Sequence, residues 1–225
     1  MTQNRNLTAL ILSVPITSIG AAMSLWIVPG IIGQAILIVG QIWLLCLPIF
    51  WLLKIEHQAV KISQPKQFDY ITGIIIGLLM FAAIVVVYWF LLRHWIDVNV
   101  VRERLDRVVQ LDRTSFILAG IYFTIINALI EEYFWRWFVY SRCKELVSNS
   151  VAVWLTALFF TFHHTIGLAF FTDWRTTLVA SLAVFIAGVI WSDYYRRYGS
   201  IWSNYISHAI ADLALHLVAW QVFFG

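Results

Sequence analysis

Charge is scarce in this chain: Lys, Arg, Asp and Glu make up 12% of its 225 residues, about half the share of a soluble domain. A disordered chain, which needs high charge and low hydrophobicity, is excluded. With 61% hydrophobic residues and a mean hydropathy of +0.82, so is a water-soluble globule. Cysteine is nearly missing too. Cys46 lies in an apolar run and Cys143 among basic residues, so neither a disulfide framework nor a metal knuckle is supported. No low-complexity tract or long linker separates two domains, and no internal repeat is visible. The net charge of +3 and pI near 9.0 would suggest nucleic acid in a soluble protein. Here the basic residues sit in short loops between apolar runs, where positive-inside topology explains them. No nucleic-acid partner is expected.

What the chain does contain is hydrophobic runs of membrane-spanning length, about 20 residues each. Leu7 to Leu53 carries no charge and breaks at Pro29-Gly30, which predicts helices over roughly 7–28 and 31–53. The first run is too long for a signal-peptide core and lacks a small-x-small cleavage site, so it is expected to remain. Further spans are expected over 70–92, 114–140, 151–171, 176–194 and 201–224. Between Arg93 and Arg113, Ile96, Val100, Val101, Leu105, Val108, Val109 and Leu111 recur at roughly helical spacing among charged residues. That pattern predicts an amphipathic helix on the membrane face. The fold class expected is all-α: a polytopic transmembrane bundle of about seven spans plus one interfacial helix. Residues 1–113 and 114–225 form two parts of one integrated membrane domain. Arg5, Lys54, Lys61, Lys66, Arg142, Lys144, Arg196 and Arg197 fall on the amino-terminal side. The interfacial segment apart, this bias predicts an integral multi-pass protein of the cytoplasmic (plasma) membrane with its N-terminus in the cytoplasm.

Ionisable side chains inside a span cost free energy and mark function. The fourth span holds Glu131-Glu132, with Arg136 one turn after Glu132, so Glu132 and Arg136 can pair on one face. Glu131 points about 100° away and has no evident local partner. The fifth span holds His163-His164, which face different directions, so at most one is expected to share a site with Glu131. In the last span His208 and Asp212 stack one turn apart, with His216 a further turn on. Asp193, beside Arg196 and Arg197, reads as topology rather than chemistry. A carboxylate, an imidazole and a His–Asp pair on three spans suit water activation: a base, a proton-sharing ring and donors for an oxyanion. Gly-x-Ser-x-Gly and His-Glu-x-x-His are both absent from the sequence. A depth mismatch stands against convergence. His164 lies about 15 residues into its span, and at about 1.5 Å per residue would sit one to two turns too deep for its partners.

In these residues the chain resembles the CPBP family of intramembrane proteases, which includes type II CAAX prenyl endopeptidases and bacteriocin-processing Abi proteins. The motifs are Glu131-Glu132…Arg136, Phe160…His164 and His208…Asp212, the last preceded by Gly199-Ser200-Ile201-Trp202. Together they cover about residues 115–216. Phe159…His163 fits the second motif as well; His164 is preferred. Trp137 stands where the family often has Gly, and Asp212 replaces the commoner Asn. An ionised Asp cannot donate to an oxyanion, so Asp212 either stays protonated or orients His208.

The resemblance implies an intramembrane endopeptidase acting on a membrane-embedded or lipidated peptide or protein within the bilayer. Glu131 and His164 would activate water, and His208 with Asp212 would stabilise the tetrahedral oxyanion. Glu132, Arg136, Phe160 and His163 would support them. A metal-free glutamate mechanism is preferred; zinc, if present, would be held by Glu131, His164 and His208. Two other classes stay open: a non-catalytic binding or scaffold protein of the same family, and a proton- or ion-coupled transporter.

Overall fold

The computed structural model describes residues 2–225, and no strand occurs among the described residues. In chain order the helices are α1 (Gln3–Ile27), α2 (Ile31–Ile55), α3 (Gln67–His94), α4 (Val98–Val108), α5 (Arg113–Cys143), α6 (Asn149–Phe171), α7 (Trp174–Tyr198) and α8 (Trp202–Phe224). All but α4 are long and apolar enough to cross a membrane. The architecture is thus the expected all-α bundle with seven spans.

Local chemistry explains the boundaries. Gly30 at φ 88° separates α1 from α2, a backbone conformation that side chains rarely tolerate. Asp97 caps α4 by accepting from the N–H of Asn99 at 3.0 Å, and Ser148 caps α6. Asp112 accepts from the N–H of Ser115 at 2.7 Å at the start of α5, and this bond holds its carboxyl below the usual range. At the start of α7, Asp173 accepts from the Thr176 hydroxyl at 2.6 Å, with the same consequence. Gly199, at φ 64°, closes α7. Several boundaries differ from expectation. Helix α1 begins ahead of Leu7, and the amphipathic helix is shorter than Arg93–Arg113. Arg93 and His94 finish α3, Asp97 resets the chain, and Val109 is already extended. Cys143, expected in a loop, closes α5 and is buried.

Two close helix pairs frame the interior. Along α3, Gly73 and Gly77 face α8 so closely that a Cβ at Gly77 would lie 2.8 Å from Ile210 Cβ and 3.0 Å from Ser207 Cα. Small residues one turn apart let membrane helices approach where no hydrophobic force drives them together. Gly188 on α7 similarly admits Ala157 and Phe160 of α6. Between the pairs runs α5, whose Phe134, Trp135, Phe138 and Val139 form the core with Phe160 and Trp191. Large apolar side chains on the outer helix faces are exposed, as a bilayer-facing surface requires.

The ends are tied differently. At one end Arg142 reaches Glu56 and Asn6, and Arg5 reaches the carbonyl of Ile55. At the other, α4 lies across the C-termini of α6 and α8. Arg102 donates to the carbonyls of Val222 (3.3 Å) and Phe223 (2.9 Å), and Arg104 to that of Phe170. A guanidinium there satisfies carbonyls that have no intrahelical partner and complements the helix dipole.

Candidate active site

Helix α5 departs from α-geometry on both sides of its carboxylates, with π-helical stretches at Tyr122–Asn127 and Glu132–Tyr140. The wider i→i+5 bonding of such stretches re-aims side chains and recurs at functional sites. Glu132 and Arg136 pair at 3.0 Å, both fully buried. The guanidinium carbon lies 4.6 Å from the ring centre of Phe160 and 5.1 Å from that of Trp191. Two aromatic faces therefore enclose this cation in place of water.

Glu132 has a second partner. Its Oε1 accepts from His208 Nδ1 at 2.9 Å across to α8. The His208 ring stacks on Trp191 at 4.3 Å between centres and 19° between planes. Trp191 is in turn fixed through its Nε1–H to Ser207 (2.7 Å) and its carbonyl to Asn204 (2.8 Å). His208 Nε2 is left facing Glu131 Oε2 and Asp212 Oδ1, each at 3.7 Å. The tighter hold on His208 is Glu132, not Asp212. Glu132 thus joins Arg136 to the imidazole, a link the motif spacing does not reveal.

Both adjacent histidines reach the site, against the expectation that at most one would. His163 Nε2 lies 3.7 Å from Glu131 Oε1, and its ring stacks on Trp135 at 5.5 Å. The Nδ1–H of His164 donates to the Phe160 carbonyl at 2.9 Å, which leaves its Nε2 free. The two ring centres are only 4.0 Å apart. Successive residues diverge on a helix, but a stacking partner pulls one ring and a backbone bond the other towards the same point. Glu131 also has the local partner it was expected to lack. Asn127, one turn earlier, donates to Oε1 at 3.1 Å. An Asn deep in an apolar run was the available signal. The anticipated depth mismatch does not keep the three helices' residues apart, so their helical starts do not share one level. His216 lies elsewhere: its Nδ1–H donates to the Asp212 carbonyl and its ring packs against Phe116. Asp193 is paired with Arg196 and Arg197 near the end of α7.

The expected metal set was Glu131, His164 and His208. Among the described residues, the group whose ligand atoms all lie within 4.8 Å of one another is Glu131, His163 and His164. One carboxylate and two imidazoles fit the donor chemistry of a catalytic zinc. Glu131 Oε2, Glu132 Oε2 and His163 Nδ1 are buried without a hydrogen-bond partner. The site thus offers a carboxylate oxygen, a free imidazole nitrogen on His164 and a directed imidazole on His208 around one point.

Neither the curated proteins nor the solved structures give a match to this chain. Residues 113–214 match the family model described as Type II CAAX prenyl endopeptidase Rce1-like. That stretch contains the Glu-Glu…Arg, Phe…His and His…Asp motifs, and Asn127 and Trp191 as well. Residues 113–214, which carry all three motifs, are thus similar to the Rce1-like type II CAAX prenyl endopeptidase family, in agreement with the resemblance of those motifs.

Proposed function

We propose that the protein is an intramembrane endopeptidase that cleaves a peptide bond of a lipidated or membrane-embedded substrate with water activated by Glu131. The observation that carries this reading is the meeting of Glu131 with His163, His164 and His208 from three helices, with Glu131 Oε2 buried and unpartnered. Glu131 Oε2 takes a proton from water while the hydroxide oxygen bonds to the scissile carbonyl carbon and the C=O electron pair moves onto oxygen. With Nδ1–H donated to Glu132, a protonated His208 presents Nε2–H to that oxyanion, and Asp212 lies beside it. Collapse breaks the C–N bond and returns the proton through Glu131 or His164 to the leaving amine, giving a carboxylic acid and a free amine, and the acid then passes its proton to the amine. Arg136 holds Glu132, and Phe160 and Trp191 hold Arg136.

Water activation by the carboxylate needs no metal, and this is the preferred mechanism. Glu131, His163 and His164 would also hold zinc, which would supply a Lewis acid and a more acidic bound water. The family description supports a prenylated C-terminal tail as the substrate, and the basic bias of the loops supports a cytoplasmic (plasma) membrane location with the N-terminus inside. The test is cleavage of a farnesylated CAAX peptide by protein reconstituted in lipid vesicles. Glu131→Gln keeps the shape and removes the base, so kcat should fall by about 10²–10⁴-fold with the thermal midpoint unchanged. Full turnover by Glu131→Gln would end this reading.

A further inference from the structure

Helix α2 carries one polar side chain into the interior beside the site. Gln41 lies within the charge-free run Leu7–Leu53, and its Nε2 donates to Asn127 Oδ1 at 2.8 Å. Asn127 is 8% exposed and passes the chain on through Nδ2 to Glu131 Oε1 at 3.1 Å. Gln41 Oε1 is buried and has no partner, so the bond to Asn127 is the side chain's one satisfied contact. An amide held in a membrane interior with an idle acceptor is a net cost that packing does not require.

The chain can have only one polarity. An ionised carboxylate only accepts, so Asn127 must turn its NH₂ to Glu131 and its carbonyl away. That carbonyl must then meet a donor, and Gln41 Nε2 is the donor there. Resting on the reading of Glu131 as the base, we infer that Gln41 is a positioning residue: it fixes the amide orientation of Asn127, which engages Glu131 Oε1 and reserves Oε2 for water. The two carboxylate oxygens are then unequal before substrate arrives. Oε1 is occupied by Asn127 and flanked by His163, while Oε2 faces His208 Nε2.

Two variants at Gln41 separate orientation from mere space-filling. Gln41→Met keeps the volume and removes the donor, leaving Asn127 free to rotate. Gln41→Glu is nearer in shape but offers an acceptor, which draws the Asn127 NH₂ to itself and turns Oδ1 on Glu131. With the reconstituted protein and the farnesylated CAAX peptide, kcat should fall about tenfold in Gln41→Met and further in Gln41→Glu. That is within the roughly 10²-fold loss that misplacing a reacting group by about 1 Å can cause. KM should stay within about twofold, because the substrate does not touch Gln41. In an Asn127→Ala background neither Gln41 variant should lower kcat again, since residues acting through one another are not additive. Wild-type kcat in both Gln41 variants, an equal loss in the Asn127→Ala background, or a loss that only tracks a lower thermal midpoint would overturn the inference. Glu131→Gln run alongside separates the two claims. If it is inactive while the Gln41 variants are normal, only this inference fails; if it is active, the base assignment itself fails.

Discussion

Replacing Glu132 by Gln tests whether the second carboxylate is a structural charge, an orienting acceptor or both. Its Oε1 lies 3.0 Å from Arg136 and 2.9 Å from His208 Nδ1, and both acidic and basic side chains of the pair are fully buried. Removing one partner leaves a guanidinium in a dry interior, which costs about 3–5 kcal/mol. For a chain of this length, each kcal/mol shifts the thermal midpoint by about 2–4 °C, so Glu132→Gln should lower it by roughly 6–20 °C. The double variant Glu132→Gln/Arg136→Met removes both charges and keeps the volume. It should recover most of that loss, because apolar replacement of a whole buried pair is often neutral. Activity should not recover with it, since His208 has exchanged a charged acceptor for a weaker neutral amide. The assay pairs thermal unfolding of the purified protein in lipid with cleavage of the farnesylated peptide. A single variant as stable as wild type would refute the buried-charge argument, and a fully active double variant would refute the orienting role.

The other predictions concern packing, the interfacial helix and metal. Gly77→Val sets a Cβ 2.8 Å from Ile210 Cβ, well inside the usual contact distance of about 3.5–4.0 Å. It should cost about 1–3 kcal/mol and lower kcat through displacement of α8, whereas wild-type unfolding and turnover would mean that α3 yields freely. Arg102→Ala with Arg104→Ala should release α4 from the C-termini of α8 and α6. Hydrogen exchange should then rise at residues 167–171 and 220–224, and unchanged protection there would show that these caps hold nothing. Strong chelators should leave turnover intact; one zinc per chain, lost with activity and restored with it, would instead assign Glu131, His163 and His164 as ligands.

The sequence made the spans legible because a bilayer imposes a length and a polarity on every helix that crosses it. The break at Pro29-Gly30 and the polar motifs were legible for the same reason: each violates an otherwise apolar stretch. Spacing also paired Glu132 with Arg136, since residues one turn apart share a face whether the turn is α or slightly wider. It misjudged His163 and His164, because the angular step along a helix says where side chains leave the backbone and not where stacking and hydrogen bonds take their ends. The contacts of Gln41 with Asn127 and of the Gly73–Gly77 pair with α8 were invisible, since each is made only with a helix distant in sequence.

The sequence alone determined that this is a helical membrane protein and which side chains inside it are too costly to be idle. Only the tertiary structure decided that Glu132 reaches across to His208, that both histidines and Asn127 surround Glu131, and that α4 spans the ends of α6 and α8. The physical reason is that hydropathy and periodicity are properties of one helix in its solvent. The level, tilt and partner of each inward face are set by contacts between helices, which no single segment encodes.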